Sequence, residues 1–410
     1  MNILILSREA LFPTIGGHKE YLFDYVQQLT YLGHSVNIIS WGPEEKYVYV
    51  KENLTEYHFK TRGDKLNVNN SLGSPIVEFF SSIGTGQFST IVHRGLQKID
   101  RQYVKSADIV LKNGPDSNPL SFQIAKKMGI PFVERLDWVG LPNRSHNFDK
   151  WIEFIGERSR PYDVFHSYMD KLIIKIEALS AENADWIYTS SPYDKVKISQ
   201  YLSNPNILYL YPFLKPNVQI TTNEEHNFSN KISEIIDSKY LLFYSSPGMD
   251  AIRGLKYIIR VAGLYPKYRF VVTGVPDYGL KRPENVLILG FLKAREFQLI
   301  LRNAYLVLFP IVQSHGFQMK LIRSFSLGKA VLSTESLIEP FKPLVRNYTN
   351  IAIQDNPLDF HKELAYLYEE DSIVRKISIG SFNMFKDNFS PDSHLMRLKS
   401  LLSHIISCTT

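Results

Sequence analysis

Short apolar runs of strand length alternate along this chain with segments whose apolar positions recur every three or four residues. Asn2 to Leu6 is such a run, and Ser7 to Gly17 is loop-like, with Pro13 and the pair Gly16-Gly17. Leu22, Tyr25, Val26, Leu29 and Leu32 follow at helical spacing, and Gly33 is placed to cap that helix in the left-handed conformation. Ser35 to Ser40 returns as a β-branched strand, and this alternation predicts a parallel sheet. Residues 45 to 105 are less periodic. Further strands are predicted at Ile109 to Leu111, Ile130 to Val133, Trp186 to Thr189 and Leu208 to Tyr211, with helices at Ser121 to Met128 and Ile173 to Ala184.

After Pro212 the chain turns polar, through Lys215-Pro216-Asn217 and Thr221-Thr222-Asn223-Glu224-Glu225, which marks a linker. The α/β rhythm then restarts. Strands are predicted at Leu241 to Tyr244, Phe270 to Thr273, Val286 to Leu289, Leu306 to Phe309 and Ala330 to Ser333, with helices at Leu255 to Leu264, Ala294 to Arg302 and Phe317 to Leu327. Leu395, Leu398, Leu401, Leu402 and Ile405 form an apolar stripe on a final helix. The expected organisation is a first α/β domain over 1–213, joined by a helix over 390–410 that packs back onto it. A linker over 214–239 and a second α/β domain over 240–389 complete it. Both domains are expected to be Rossmann-like and doubly wound, facing a cleft at the carboxyl ends of their sheets, where such folds bind ligands.

Composition narrows the function. At 410 residues the chain exceeds one compact core, and 44% apolar with 21% charged residues is the balance of a globular protein. The net charge of +6 permits phosphate-bearing substrates or an anionic membrane surface, but the basic runs of a nucleic-acid binder are missing. A single cysteine, Cys408, excludes an internal disulfide framework or cysteine metal site. No apolar stretch reaches the roughly 20 residues needed to span a bilayer. The first strand lacks a basic leader, so a cytoplasmic protein is expected. His-Glu-x-x-His, Gly-x-Ser-x-Gly and the phosphate-loop pattern are all absent, so neither a metal site nor a hydrolase is expected. The basic and apolar helix from Tyr168 to Leu179 is either an ordinary buried helix or a peripheral membrane contact.

Two strand-to-helix loops carry candidate chemistry. Gly16 and Gly17 follow the first strand and open a helix, so they form either a tight turn or a place where backbone approaches an anion. Ser245-Ser246-Pro247-Gly248 opens the equivalent loop of the second half and leads to Arg253-Gly254. Arginine near a helix start is either a solvated surface cation or a grip on two phosphate oxygens. A third segment runs from the buried strand Leu306 to Phe309 through Ser314-His315-Gly316-Phe317 into a helix bearing Lys320 and Arg323.

These residues resemble the retaining GT-B glycosyltransferases of family 4, the glycogen-synthase-like group. That family shows Glu-Gly-Phe-Gly, a second Glu on the following helix, then Ala-Met-Ala-x-Gly-x-Pro-Val. Here the matches are Gly316-Phe317 and Ser324-Phe325-Ser326-Leu327-Gly328-Lys329-Ala330-Val331. Gly16-Gly17, Arg253-Gly254 (where the family has Lys-Gly) and Leu289-Gly290-Phe291 extend the resemblance. The departures fall in the site. The two glutamates become His315 and Arg323, Ser246 stands where the family carries a phosphate-binding arginine, and the histidine-bearing strand ends read Leu111-Lys112-Asn113-Gly114 and Glu134-Arg135-Leu136-Asp137-Trp138.

The resemblance implies transfer of a sugar from a nucleotide diphosphate to a glycan, lipid-linked or protein acceptor. Cations and helix amides would stabilise the departing diphosphate without a metal or other cofactor. Candidate catalytic residues are Asp137, for positioning or deprotonating the acceptor, and His315, for binding sugar hydroxyls. The donor-binding candidates are Gly16, Gly17, Ser246, Arg253, Gly254, Phe291, Gly316, Phe317, Lys320 and Arg323. A non-catalytic GT-B partner or chaperone of an active transferase is the alternative expectation.

Overall fold

In the computed structural model, the residues described are 1–7, 17–42, 46–60, 106–113, 120–136, 143–144, 146–157, 181–215, 230–314 and 316–409. The chain divides into two compact units: Met1–Leu141, Val164–Pro212 and His394–Thr410 form unit 1, and Pro142–Asp163 with Phe213–Ser393 form unit 2.

In chain order, unit 1 opens with β1 (Asn2–Ser7), α1 (Gly17–Tyr31), β2 (Ser35–Gly42), β3 (Lys46–Lys51), β4 (Leu54–Lys60), β5 (Ile109–Asn113), α2 (Leu120–Met128) and β6 (Phe132–Leu136). The chain then enters unit 2 for β7 (Asn143–Arg144) and α3 (Phe148–Phe154), and returns for β8 (Trp186–Thr189), α4 (Pro192–Ser199) and β9 (Ile207–Tyr209). The sheet order is β3-β4-β2-β1-β5-β6-β8-β9, parallel except for the β3–β4 hairpin at its edge. One face of this sheet meets α1: Ile3, Ile109, Leu111, Val133 and Tyr188 line the same small void as Tyr25 and Leu29. The other face, with Leu4, Leu6, Val110, Phe132 and Ile187, packs against Ile124 and Ala125 of α2 and Ile198 of α4.

Gly33 ends α1 at φ +84°, the left-handed conformation its position calls for. The expected strand Ile130 to Val133 instead runs from Phe132 to Leu136, because Pro131 has no N–H to donate to the ladder. The β3–β4 hairpin lies in the weakly periodic stretch and was not expected.

Unit 2 continues with α5 (Asn230–Ile236), β10 (Tyr240–Tyr244), α6 (Met249–Leu264), β11 (Arg269–Thr273), β12 (Val286–Ile288), α7 (Ala294–Asn303), β13 (Leu306–Phe309), β14 (Gln313–Ser314), α8 (Met319–Ser326), β15 (Val331–Ser333), α9 (Glu335–Ile338), β16 (Ala352–Ile353), α10 (Pro357–Glu369) and α11 (Asp371–Asn388). Its sheet has the order β12-β11-β10-β13-β15-β16 and is parallel throughout. Strands β10 and β13 are buried along their whole length, as strands covered on both faces must be. The final helix, α12 (Pro391–Thr409), belongs to unit 1 from His394 onward, and its Leu401, Leu402 and Ile405 line the void beneath α1.

Two boundaries differ from expectation. Asn230–Ile236 of the expected linker is the helix α5, with Ile232 and Ile235 buried. Pro142–Asp163 interrupts the expected first range because apolar burial draws it into unit 2. Trp151 is 1% exposed, its ring 4.6 Å from Tyr257 and 5.5 Å from Phe360, and its indole N–H donates to Asp355 O at 2.7 Å. The expected helix Ile173 to Ala184 lies almost wholly outside the described residues, and Tyr168 to Leu179 entirely so. Among the described residues, no helix is long and apolar enough to cross a membrane.

Gly380 sets α11 against the turn that precedes β16. A Cβ there would stand 2.0 Å from Thr349 O, a backbone atom with little freedom to yield. Helix propensity alone would make Gly380→Ala stabilising by about 1 kcal/mol. Overpacking at this contact should reverse the sign and cost about 1–3 kcal/mol net. Urea unfolding of the variant should therefore show a lower midpoint than wild type at unchanged slope.

Candidate functional site

Both sheets change winding direction once, between β1 and β5 and between β10 and β13, and ligands of open α/β sheets bind at the carboxyl ends of such strand pairs. In unit 2 the segments beyond this point are Ser245 to Gly248 after β10 and, after β13, Pro310 to Val312 followed by β14, with Gly316 to Gln318 leading into α8. Lys320, on the first turn of α8, reaches across with its ammonium 3.4 Å from Ser245 Oγ. Among the described residues no carboxylate pairs with it. Removal from water pulls its pKa down to about 8, partly opposed by the negative charge of Asp250.

Tyr244, the last residue of β10, fixes α8 in this position. Its hydroxyl donates to Lys320 O at 2.6 Å and lies 2.9 Å from Ser324 Oγ, while its ring packs against Phe297 at 5.0 Å and Phe309 at 5.2 Å. Burial pushes this phenol well above its ordinary pKa, so it stays neutral and keeps its proton for the Lys320 carbonyl. Neighbouring loop ends are tied just as closely. Gly274, at φ +74°, donates its N–H to Gly290 O at 2.7 Å, and a Cβ on it would stand 2.4 Å from Ser245 O. Gly248 is the N-cap of α6 and offers no side-chain oxygen, so the first turn of that helix has no side-chain cap beside Lys320.

The expected site residues divide into groups. Ser246 is exposed on the β10 loop and Phe291 is 67% exposed just after β12. Gly316 is buried at φ +57°, where the chain turns toward α8. Arg323 lies on α8 with its guanidinium 5.8 Å from the Phe297 ring centre. Phe317 packs inward, 4.3 Å from Phe341 and 5.9 Å from Phe389. Gly17 is the first residue of α1. Gly16, Asp137 and His315 lie outside the described residues.

Arg253 and Gly254 sit differently from expectation. Helix α6 begins at Met249 rather than Leu255, which places Arg253 in its second turn. Arg253 is 4% exposed; its Nε is 3.4 Å from Glu157 and its guanidinium 5.3 Å from the Phe148 ring centre. Lys256 holds the other oxygen of Glu157 at 2.5 Å, and the two cations keep that carboxyl below its ordinary range despite burial. Gly254 faces the sheet, where a Cβ would stand 2.7 Å from Phe243 Cζ, so its glycine serves helix–strand packing.

Sequence reasoning missed Tyr244, Glu157 and Gly274, and named Ser245 only as part of the candidate loop. A glycine directly after a strand signalled Gly274, whereas nothing local linked Glu157 to a partner 96 residues away. In unit 1, Lys112 near the end of β5 and Glu134 in the middle of β6 form a buried ion pair of 2.6 Å. Beside them Arg135 is 2% exposed and lies 5.1 Å from the Tyr25 ring centre. Elsewhere in unit 2, His146, Glu335 and Glu339 bring possible ligand atoms within 4.8 Å of one another, but Lys342 already holds Glu339 at 2.7 Å.

No family model and no curated protein matches the chain. Solved structures do. Sucrose-phosphate synthase from Thermosynechococcus elongatus is 10% identical, with 99% of each chain covered and a TM-score of 0.69. Anabaena HepE in complex with UDP is 13% identical over 98% of this chain and 100% of that one, TM-score 0.68. HepE in complex with UDP-glucose is 12% identical over 98% and 99%, TM-score 0.65. These similarities establish the GT-B fold, two parallel-sheet α/β domains.

The Lys320 ammonium is charged in the unfolded chain up to its ordinary pKa of 10.5 but in the folded chain only up to about 8. Folded protein therefore binds fewer protons between those values, and stability rises with pH across that window. The destabilisation is fully present below pH 8. Lys320→Met should accordingly raise stability at pH 7 by about 1–3 kcal/mol, with the gain fading toward pH 10.5. Denaturation midpoints measured from pH 6 to 10 check both the sign and the window.

Proposed function

We propose that the protein is a nucleotide-sugar glycosyltransferase whose donor diphosphate binds between Lys320, Ser245 and the first turn of α6. The observation that carries this reading is a desolvated ammonium with no ion-paired carboxylate among the described residues, beside an uncapped helix start at the switch point of a Rossmann-ordered sheet. A bound phosphate supplies the missing counter-charge and restores the lysine toward its ordinary pKa. Charge then builds on the diphosphate as the sugar bond breaks, and the same ammonium and amides stabilise it.

Phe291, exposed beside this site, offers a ring on which the base can stack, and Ser246 and Gly316 border the phosphate and sugar. We assign Asp137 to the acceptor and His315 to sugar hydroxyls, with unit 1 receiving a glycan, lipid-linked or protein acceptor. The resemblance to family 4 supports a retaining hexosyl or deoxyhexosyl transfer in polysaccharide synthesis. In that chemistry the leaving phosphate takes the acceptor's proton, so no separate carboxylate base is required. Arg253 is withdrawn from the donor in this reading, because Glu157 and Phe148 already engage it. That withdrawal also favours the second reading, a non-catalytic partner, since it leaves Lys320 as the cation we assign to the diphosphate.

Calorimetry with UDP and dTDP, followed by a donor screen for nucleotide diphosphate release, separates the readings. Affinity should be constant between about pH 7 and 8, where the terminal phosphate is ionised, and weaken above pH 8 as Lys320 loses its proton. Lys320→Met should lower affinity about 10- to 100-fold and remove the pH dependence, as expected for one charge-assisted hydrogen bond. Binding followed by turnover supports the transferase, whereas no binding of either nucleotide, or binding without turnover of any donor, would refute it and leave the partner reading standing. Turnover should persist in chelator; its loss there, restored by magnesium or manganese, would overturn the metal-independent mechanism.

Arg323 adds a donor preference. Guanidinium has no acceptor for a ribose hydroxyl, so a dTDP-sugar should bind about as well as a UDP-sugar. Arg323→Glu should shift preference toward the ribonucleotide. A wild-type enzyme that strongly prefers UDP- or GDP-sugars would sink this assignment.

A further inference from the structure

We propose that Trp151 is a positioning residue for the donor site, closing a ring of hydrogen bonds that holds Gln313–Ser314 in place before a donor arrives. Its consequence for donor binding rests on the reading above; the ring itself does not. Strand β14 runs directly into His315-Gly316 and the helix that bears Lys320. Its partner is β7, antiparallel, with Gln313 opposite Arg144 and Ser314 opposite Asn143. So short a ladder cannot hold itself, since even a complete isolated hairpin is marginal in water and closing the long intervening chain costs entropy. Something else must fix β7.

Helix α3, which follows β7, does so. Trp151 is lodged between Tyr257 and Phe360, and a buried indole has one N–H that must find an acceptor. It finds Asp355 O at 2.7 Å, and Asn147, at the start of the same helix, donates from Nδ2 to Asp355 Oδ2 at 3.4 Å. The other carboxylate oxygen of Asp355 accepts the N–H of Glu335, the first residue of α9, at 3.2 Å. Its neighbour Ser336 then leads back to β14. The Ser336 carbonyl accepts from Ser314 Oγ at 2.7 Å, and the Ser336 hydroxyl donates to Ile311 O at 2.5 Å.

The circuit from β14 through β7, Trp151, Asp355 and Ser336 to Ser314 is therefore closed, and it lies wholly within unit 2. Its side-chain bonds are buried or half-buried, where water competes poorly for them. None of these side chains is among those assigned to the donor. They secure the segment that enters α8 from one side while Tyr244 secures α8 itself. A donor then meets a loop that is already ordered, and binding is spared the entropy of ordering it.

Two variants open the ring at different places. Trp151→Phe keeps an aromatic ring in the socket and removes the N–H, whereas Ser314→Ala removes the hydroxyl bond to Ser336. Each should lower UDP affinity in calorimetry by about three- to tenfold, the cost of ordering on binding a segment that was ordered beforehand. The double variant should lose little more than either single one, because a ring is opened by its first break. Amide exchange of residues 313–321, followed by mass spectrometry without nucleotide, should be faster in each variant than in wild type. Ile235→Ala empties a buried position on α5, outside the circuit, and destabilises the same unit. It should change neither reading, which separates positioning from general loss of stability. If Trp151→Phe does not fold, Ser314→Ala decides alone. Unchanged exchange over 313–321 in Ser314→Ala, an equal loss of UDP affinity in Ile235→Ala, or fully additive losses in the double variant would overturn the proposal. Failure of wild type to bind UDP would instead sink the donor reading, and the exchange measurement would still decide whether the ring positions the loop.

Discussion

Strand β10 is bonded to a parallel neighbour on each edge and is buried from Tyr240 to Tyr244, so it has no tolerance for displacement. Its side chains pass that rigidity outward. The Tyr240 hydroxyl donates to Ile300 O of α7, Phe243 meets α6 where only Gly254 leaves room, and Tyr244 holds the carbonyl of Lys320. Three helices are thus registered on one strand. The strand also lies at the winding reversal, where the sheet's own geometry opens a place for a ligand. An ammonium at this spot is held by backbone packing and needs no ion pair to keep it there.

A desolvated cation is costly to the free protein and useful only when an anion arrives. Unit 2 contains both outcomes side by side. Arg253, Lys256 and Glu157 satisfy one another and hold the inserted segment Pro142–Asp163, which also lodges Trp151 between Tyr257 and Phe360. Among the described residues Lys320 has no such arrangement, and its lowered pKa records the difference. A residue can stand in a motif and still be committed elsewhere by a carboxylate that the motif does not contain.

Much of the architecture was legible in one dimension because it depends on local periodicity. The spacing from Leu22 to Leu32, the left-handed Gly33 and the apolar runs at Ile109, Leu241 and Leu306 each specify an element that forms as its pattern requires. A buried parallel strand must be apolar throughout, and an amphipathic helix must repeat every three or four residues. Such demands are met by neighbours in sequence. The hairpin from Lys46 to Lys60 escaped because its residues at the sheet edge follow no single face pattern, with Glu56 and His58 buried among them. Helix α6 was read six residues short, since Gly248 as N-cap gives no side-chain signal of its own.

Sequence by itself determined the two α/β units, their winding and the loops that carry the candidate chemistry. Tertiary structure decided which charged residues beyond those loops are ion-paired, as Arg253 is by Glu157, and which, as Lys320, have no ion pair among the described residues. Glu157 reaches Arg253 across 96 residues and Tyr244 reaches Lys320 across 76, distances over which no periodicity or spacing carries information. Backbone patterning is local, whereas desolvation and charge compensation depend on every atom packed nearby, whatever its place in the chain.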